Sequence, residues 1–61
     1  MHAINWYESG RSYAVEHRDD DDAVIRRRYG LTESAARALA ARWVSDARRD
    51  GHRVETTAPE Y

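Results

Sequence analysis

Three groups of residues have chemistry to offer. His2, His17 and His52 carry imidazoles, Asp19-Asp20-Asp21-Asp22 is a run of carboxylates, and Arg26-Arg27-Arg28 is a run of guanidiniums. Imidazole nitrogens suit a zinc ion and also titrate closest to neutral pH. In the hairpin derived below, His2 falls opposite His17, and the aspartate run begins two residues later. Two histidines at a hairpin end are far from the four ligands of a structural zinc site, and His52 has no evident partner in the sequence. The aspartates lack the spaced ligands and central glycine of an EF-hand loop, so the run reads as a solvated turn. No metal or other cofactor is expected.

Covalent catalysis has even less support. Ser9, Ser12, Ser34 and Ser45 have no general base at a motif spacing, and no GxSxG, HExxH, P-loop or cysteine nucleophile occurs. A chain of 61 residues also has little volume for a water-excluding pocket of the usual several hundred Å³. A non-enzymatic protein is expected, with no small-molecule substrate.

The arginines and aromatics then become the residues of interest, and their use depends on the elements that carry them. A chain this short makes one domain, expected over residues 1–57, and buries only about 60% of the surface its unfolded form exposes. Such a core supplies roughly 3–5 kcal/mol, and without cysteine no disulfide adds to it. Docking on a partner, or on a second copy, is the remaining source of stability. Charged residues make up 34% of the chain, yet the net charge is −1. A nucleic-acid-binding domain is usually strongly basic, but a balanced total can also conceal two opposed patches. Residues 1–20 show no basic segment followed by an apolar one, and no apolar run is long enough for a bilayer. A cytoplasmic protein is expected.

Residues 3–8 and 11–17 read as strands flanking a turn at Ser9-Gly10, being rich in β-branched and aromatic side chains. A two-residue loop there pairs Glu8 with Arg11, Trp6 with Tyr13 and Ile4 with Val15, all on one face. Each such pair contributes about 0.2–1 kcal/mol. Residues 23–29 admit two readings. A short helix would place acidic residues at its start and arginines at its end; a third strand suits adjacent Val24 and Ile25 better. As a strand, its core face would present Ile25 and Tyr29, with Arg27 awkwardly among them at an edge. Thr32 is a good N-cap, Glu33 suits the first turn, and Ala36, Leu39, Ala40, Trp43 and Ala47 form one apolar stripe. A helix over about 33–50 follows, ending at Gly51. Residues 52–57 make a short edge strand and 58–61 a frayed tail. The fold expected is α+β: a three-stranded antiparallel sheet covered on one face by a long helix, with a short C-terminal edge strand.

On that plan Asn5, Tyr7, Ser12, Arg26 and Arg28 point away from the helix, with Glu16 paired to Arg26. Tyr7 and Val24 stay exposed, and an edge strand is free. Tyr7, Asn5, Val24, Arg26 and Arg28 are therefore the partner-binding candidates. They suit a small binding or regulatory module that associates with protein, itself included as a homodimer. The alternative is a nucleic-acid-binding module that lays the open face of its sheet against bases or a groove.

The run Tyr29-Gly30-Leu31-Thr32-Glu33-Ser34-Ala35, after a hairpin and before an Ala/Arg helix, resembles small uncharacterised proteins of actinobacteria and their bacteriophages. The resemblance implies a phage accessory role and assigns no functional residue. The order of three strands and a helix is also similar to the arm-type DNA-binding domains of phage integrases, a likeness of fold alone.

Overall fold

The computed structural model describes residues 1–56. The tail expected at 58–61 and the last residue of the strand expected over 52–57 lie outside them. Strands β1 (His2–Ser9), β2 (Ser12–Arg18) and β3 (Val24–Leu31) precede helix α1 (Glu33–Arg49), and β4 (Val54–Glu55) follows it. The sheet order is β3-β2-β1-β4, antiparallel except for β4, which lies parallel to β1 at the edge. The α+β class and the helix-covered antiparallel sheet are as the sequence implies.

The hairpin differs in one respect. Its turn is Gly10-Arg11, and Ser9 pairs with Ser12, Glu8 with Tyr13, Trp6 with Val15 and Ile4 with His17. Gly10 has φ +64° while Arg11 is not left-handed. A hairpin loop with glycine first needs a positive φ only at that residue. A loop of Ser9-Gly10 would have put the serine there, where a Cβ is costly. The pairing has therefore slid by two residues, which preserves the faces, since only an odd slip exchanges them. Ile4, Trp6, Tyr13 and Val15 still face the helix, and the Trp6 and Tyr13 rings meet diagonally at 5.8 Å between centroids.

Residues 24–31 form a strand, and over residues 26–29 its faces are the reverse of those expected. Val15 pairs with Arg28, Glu16 with Arg27 and His17 with Arg26, with register shifts on either side, between Tyr13 and Val15 and between His17 and Arg18. At each shift β3 carries one residue more than β2, and each extra residue inverts the alternation of side chains. Ile25 and Tyr29 are exposed rather than core, and Arg27 lies on the open face.

The helix begins at Thr32, whose Oγ1 accepts the Ala35 amide at 3.1 Å. It ends in a Schellman motif: the Gly51 amide donates to the Arg48 carbonyl and the His52 amide to the Ala47 carbonyl, with Gly51 at φ +89°. Ala36, Ala40, Trp43 and Ala47 are buried against Ile4 and Val15, while Trp6, Tyr13, Leu31, Leu39, Val44 and Val54 pack around them. Small residues let the helix approach closely, and Trp43 fills the remaining gap. Among the described residues no helix is long and apolar enough to cross a membrane.

Candidate functional site

Two surfaces gather polar and aromatic residues. The first is the sheet face that the helix leaves open. Asn5 and Tyr7 come from β1, Ala14, Glu16 and Arg18 from β2, and Arg27 and Tyr29 from β3. Glu16 holds the centre: its carboxylate accepts from Arg18 Nε at 2.5 Å and from Arg27 Nε at 2.9 Å, with a second Arg27 nitrogen also in contact. Burial alone would raise the Glu16 pKa, but the hydrogen bonds and charges of Arg18 and Arg27 outweigh it and hold the carboxyl below its ordinary range. Arg27 also donates to the Tyr29 hydroxyl at 3.1 Å. Tyr7 shares this surroundings; burial first, then Tyr29 and Glu16, raise its pKa against the opposing charge of Arg27. Between Tyr7 and the Tyr29-Gly30 pair lies Ala14, fully buried although it is on this face. The two tyrosines are 37% and 58% exposed and form a half-sheltered aromatic platform around a charge-paired centre.

Of the residues expected to bind a partner, Asn5, Tyr7 and Val24 occupy this face, Val24 opposite Arg18 and exposed at the β3 edge. Arg26 and Arg28 do not. Val15 is a core residue, so Arg28 opposite it lies on the helix side. Arg26 lies there too, with its guanidinium carbon 4.2 Å from the centre of the Trp43 ring. The same shifts bring Arg27 and Tyr29 to the open face in their place, and Glu16 pairs with Arg27 rather than Arg26. A count of alternating residues could not find them, because the extra residues in β3 leave no compositional mark apart from Gly30, which sits at φ +73°.

The second surface is an open cleft of about 510 Å³ at the end of the sheet where α1 finishes, lined by His2, His17, Ile25, Arg26, Asp46, Ala47, Arg49, Asp50 and His52. His17 lies opposite Ile4, yet His2 reaches it diagonally, with His2 Nδ1 2.8 Å from His17 Nε2. Arg26 Nε donates to His17 Nδ1 at 3.0 Å. The Schellman turn sets His52 over His2, the rings stacked 4.0 Å apart. His2 and His17 are both buried, and burial followed by the positive charge of Arg26 holds the His17 pKa below its ordinary value. Among the described residues, no three His, Cys, Asp or Glu side chains converge so as to hold a metal ion.

The aspartate turn is held from within, by backbone bonds and by the Asp19 carboxylate. Asp19 Oδ1 accepts the amides of Asp21 and Ala23 at 2.9 and 3.1 Å, and Asp22 takes the left-handed conformation at φ +64°. Asp tolerates that conformation better than most residues. Comparison of the chain with protein-family models, with curated proteins and with solved structures finds no match.

Proposed function

We propose that this chain is a non-enzymatic binding module of the cytoplasm that engages a protein partner through the open face of its sheet. The observation that carries the reading is the platform of Tyr7 and Tyr29, exposed on either side of buried Ala14 and beside the Glu16–Arg27 pair. Tyrosine contributes large contact area at low entropic cost and is enriched at interfaces. Edge pairing is the less favourable mode here. At the β3 edge three arginines and two register shifts are the usual devices against strand addition, and at the other edge β4 covers the first two residues of β1.

The partner follows from the charges. Arg18 and Arg27 exceed Glu16 by one positive charge, so the face suits a protein surface with an apolar anchor beside a carboxylate. Three strands spaced about 4.8 Å apart and roughly 23 Å long give a platform of roughly 350 Å². That is under half of the ~800 Å² per partner of a standard stable interface, which suits a weak, exchangeable contact and an accessory or regulatory role. The resemblance to small actinobacterial and phage proteins points the same way. A second copy of the chain is one partner to consider, giving a homodimer.

A nucleic-acid reading of the same face draws on Tyr29, whose ring lies 5.8 Å from the Arg27 guanidinium carbon in the manner of a base-stacking platform. With Arg26 and Arg28 on the other side and Glu16 at its centre, the face keeps little net positive charge for phosphates. The test is retention from a cognate lysate, with and without nuclease, by the wild type and by a Tyr7→Ala/Tyr29→Ala variant, together with sedimentation over a range of concentrations. Nuclease-resistant protein retention, or concentration-dependent dimerisation, that the variant loses supports the proposal. Nuclease-sensitive retention with steep salt dependence favours the second reading. A strict monomer that retains nothing refutes both.

A further inference from the structure

The cleft at the end of α1 holds two arginines and two aspartates whose charges cancel, and its imidazoles converge on no metal position. Its distinguishing chemistry is protonation. An arginine Nε–H donates and never accepts. The Arg26 Nε contact at 3.0 Å therefore requires a bare lone pair on His17 Nδ1. Neutral His17 then carries its proton on Nε2 and donates it to His2 Nδ1, 2.8 Å away, which leaves His2 as the Nε2–H tautomer too. One directed chain of donors runs from Arg26 through His17 to His2 and links β3, β2 and β1. Imidazolium at His17 has no acceptor nitrogen, so protonating it sets two donors face to face at Arg26.

We propose that this chain is an acid-released latch that holds the start of β1, and β4 with it, on the sheet. The connection to β4 is direct: the His2 amide donates to the Arg53 carbonyl at 2.8 Å, and His2 pairs with Val54. The His52 ring rests on His2, so a charge on both rings would add repulsion at 4.0 Å. The groups that face His17 are Arg26 from β3, His2 from β1, His52 beyond the helix, Asp46, Arg49 and Asp50 at the end of α1, and Asp19 at the turn after β2. Asp46 is engaged by Arg49. Asp19 favours the protonated ring, but burial and Arg26 come first among the influences and oppose it.

The sign follows from linkage. His17 binds its proton less readily in the folded state, so the stability it confers is complete above the ordinary histidine pKa of about 6.5 and declines as pH falls from there toward the folded value. One proton excluded from the closed state shifts the open/closed ratio up to about tenfold per pH unit in that window. Two measurements on the wild-type chain test the latch. Long-range ¹H–¹⁵N correlation should show both His2 and His17 as Nε2–H tautomers at pH 7.5, with His17 titrating below the ordinary value. Hydrogen exchange, corrected for its intrinsic pH dependence, should show the His2 and Glu55 amides, the donors of the parallel β1–β4 ladder, losing protection about tenfold per unit below pH 6.5 while Val15 and Ala40 keep theirs. An Nδ1–H tautomer at His17, a His17 pKa at or above the ordinary value, or equal pH response at all four amides would overturn it. Arg26→Met should return the His17 titration toward its ordinary value; an unchanged titration counts against the geometry as well.

Discussion

Arg26 and Arg28 are the same residue type two positions apart on one strand, yet the structure gives them different surroundings. Arg26 lies over Trp43 and donates to buried His17. Arg28 is exposed and has no ion pair among the described residues. A cation over a tryptophan face contributes about 0.5–2 kcal/mol according to its desolvation. Removing the donor also leaves His17 Nδ1 without a partner in a buried site, which costs about 1–3 kcal/mol. Arg26→Met retains the aliphatic stem and loses both interactions, for an expected loss of about 2–4 kcal/mol. For a domain of this size that lowers Tm by roughly 8–32 °C, at ~4–8 °C per kcal/mol. Arg28→Met should remain within about 0.5 kcal/mol. Urea unfolding at pH 7.5, with far-UV circular dichroism and tryptophan fluorescence as parallel probes, gives both numbers. A double-mutant cycle of Arg26→Met with Trp43→Phe isolates the stacking contribution. Equal effects at the two positions, or a larger one at Arg28, would refute the register of β3 and the assignment of its faces.

Other perturbations test separate parts of the fold. Ile4→Ala empties a fully buried site at a cost of about 2–5 kcal/mol, against a total of roughly 3–9 kcal/mol expected for a chain of this length; a large unfolded fraction at 25 °C should be visible by circular dichroism, whereas Ile4→Val should remain folded. Thr32→Ala removes the helix N-cap and should cost about 1 kcal/mol in chemical unfolding. Gly51→Ala meets no neighbouring atom, so its cost is the left-handed backbone alone, about 1–2 kcal/mol in the same assay. Glu16 is held below its ordinary pKa by Arg18 and Arg27, so its contribution is present above about pH 4.5 and is lost as pH falls toward the folded value. Glu16→Gln should flatten that acid limb of the stability curve between pH 5 and 3 while leaving the histidine window near pH 6 in place.

How much of this was legible in the sequence depends on the range of the interaction that decides each feature. The helix and its caps were, because Thr32, Glu33 and Gly51 act on backbone within a turn of themselves. So were the faces of the hairpin, since any even slip of register preserves them; the turn itself was misplaced by one residue because Gly10 can serve either loop position and Ser9 is neutral in composition. The faces of β3 were not legible. They depend on where extra residues interrupt the ladder with β2, and Val24-Ile25 satisfies a strand pattern whether or not one of them is extra. That single ambiguity exchanged Arg26 and Arg28 for Arg27 and Tyr29 at the candidate binding face. The histidine cleft was hidden for another reason. Only the path of the chain after the helix brings His52 onto His2, and no local pattern encodes a contact across 50 residues of sequence.

The parallel placement of β4 beside β1 has a mechanical side. The chain enters the sheet along β1 and leaves it along β4, so tension that separates the two ends draws these neighbours past one another in shear. Shear loads all the hydrogen bonds of a pair together, but here the pair spans only His2–Ala3 and Val54–Glu55. This short clasp should be the first part of the molecule to yield to a pulling force, while β1 to β3 and α1 hold. Its release would extend the outer edge of β1, which β4 covers only at its first two residues, to the whole length of the strand.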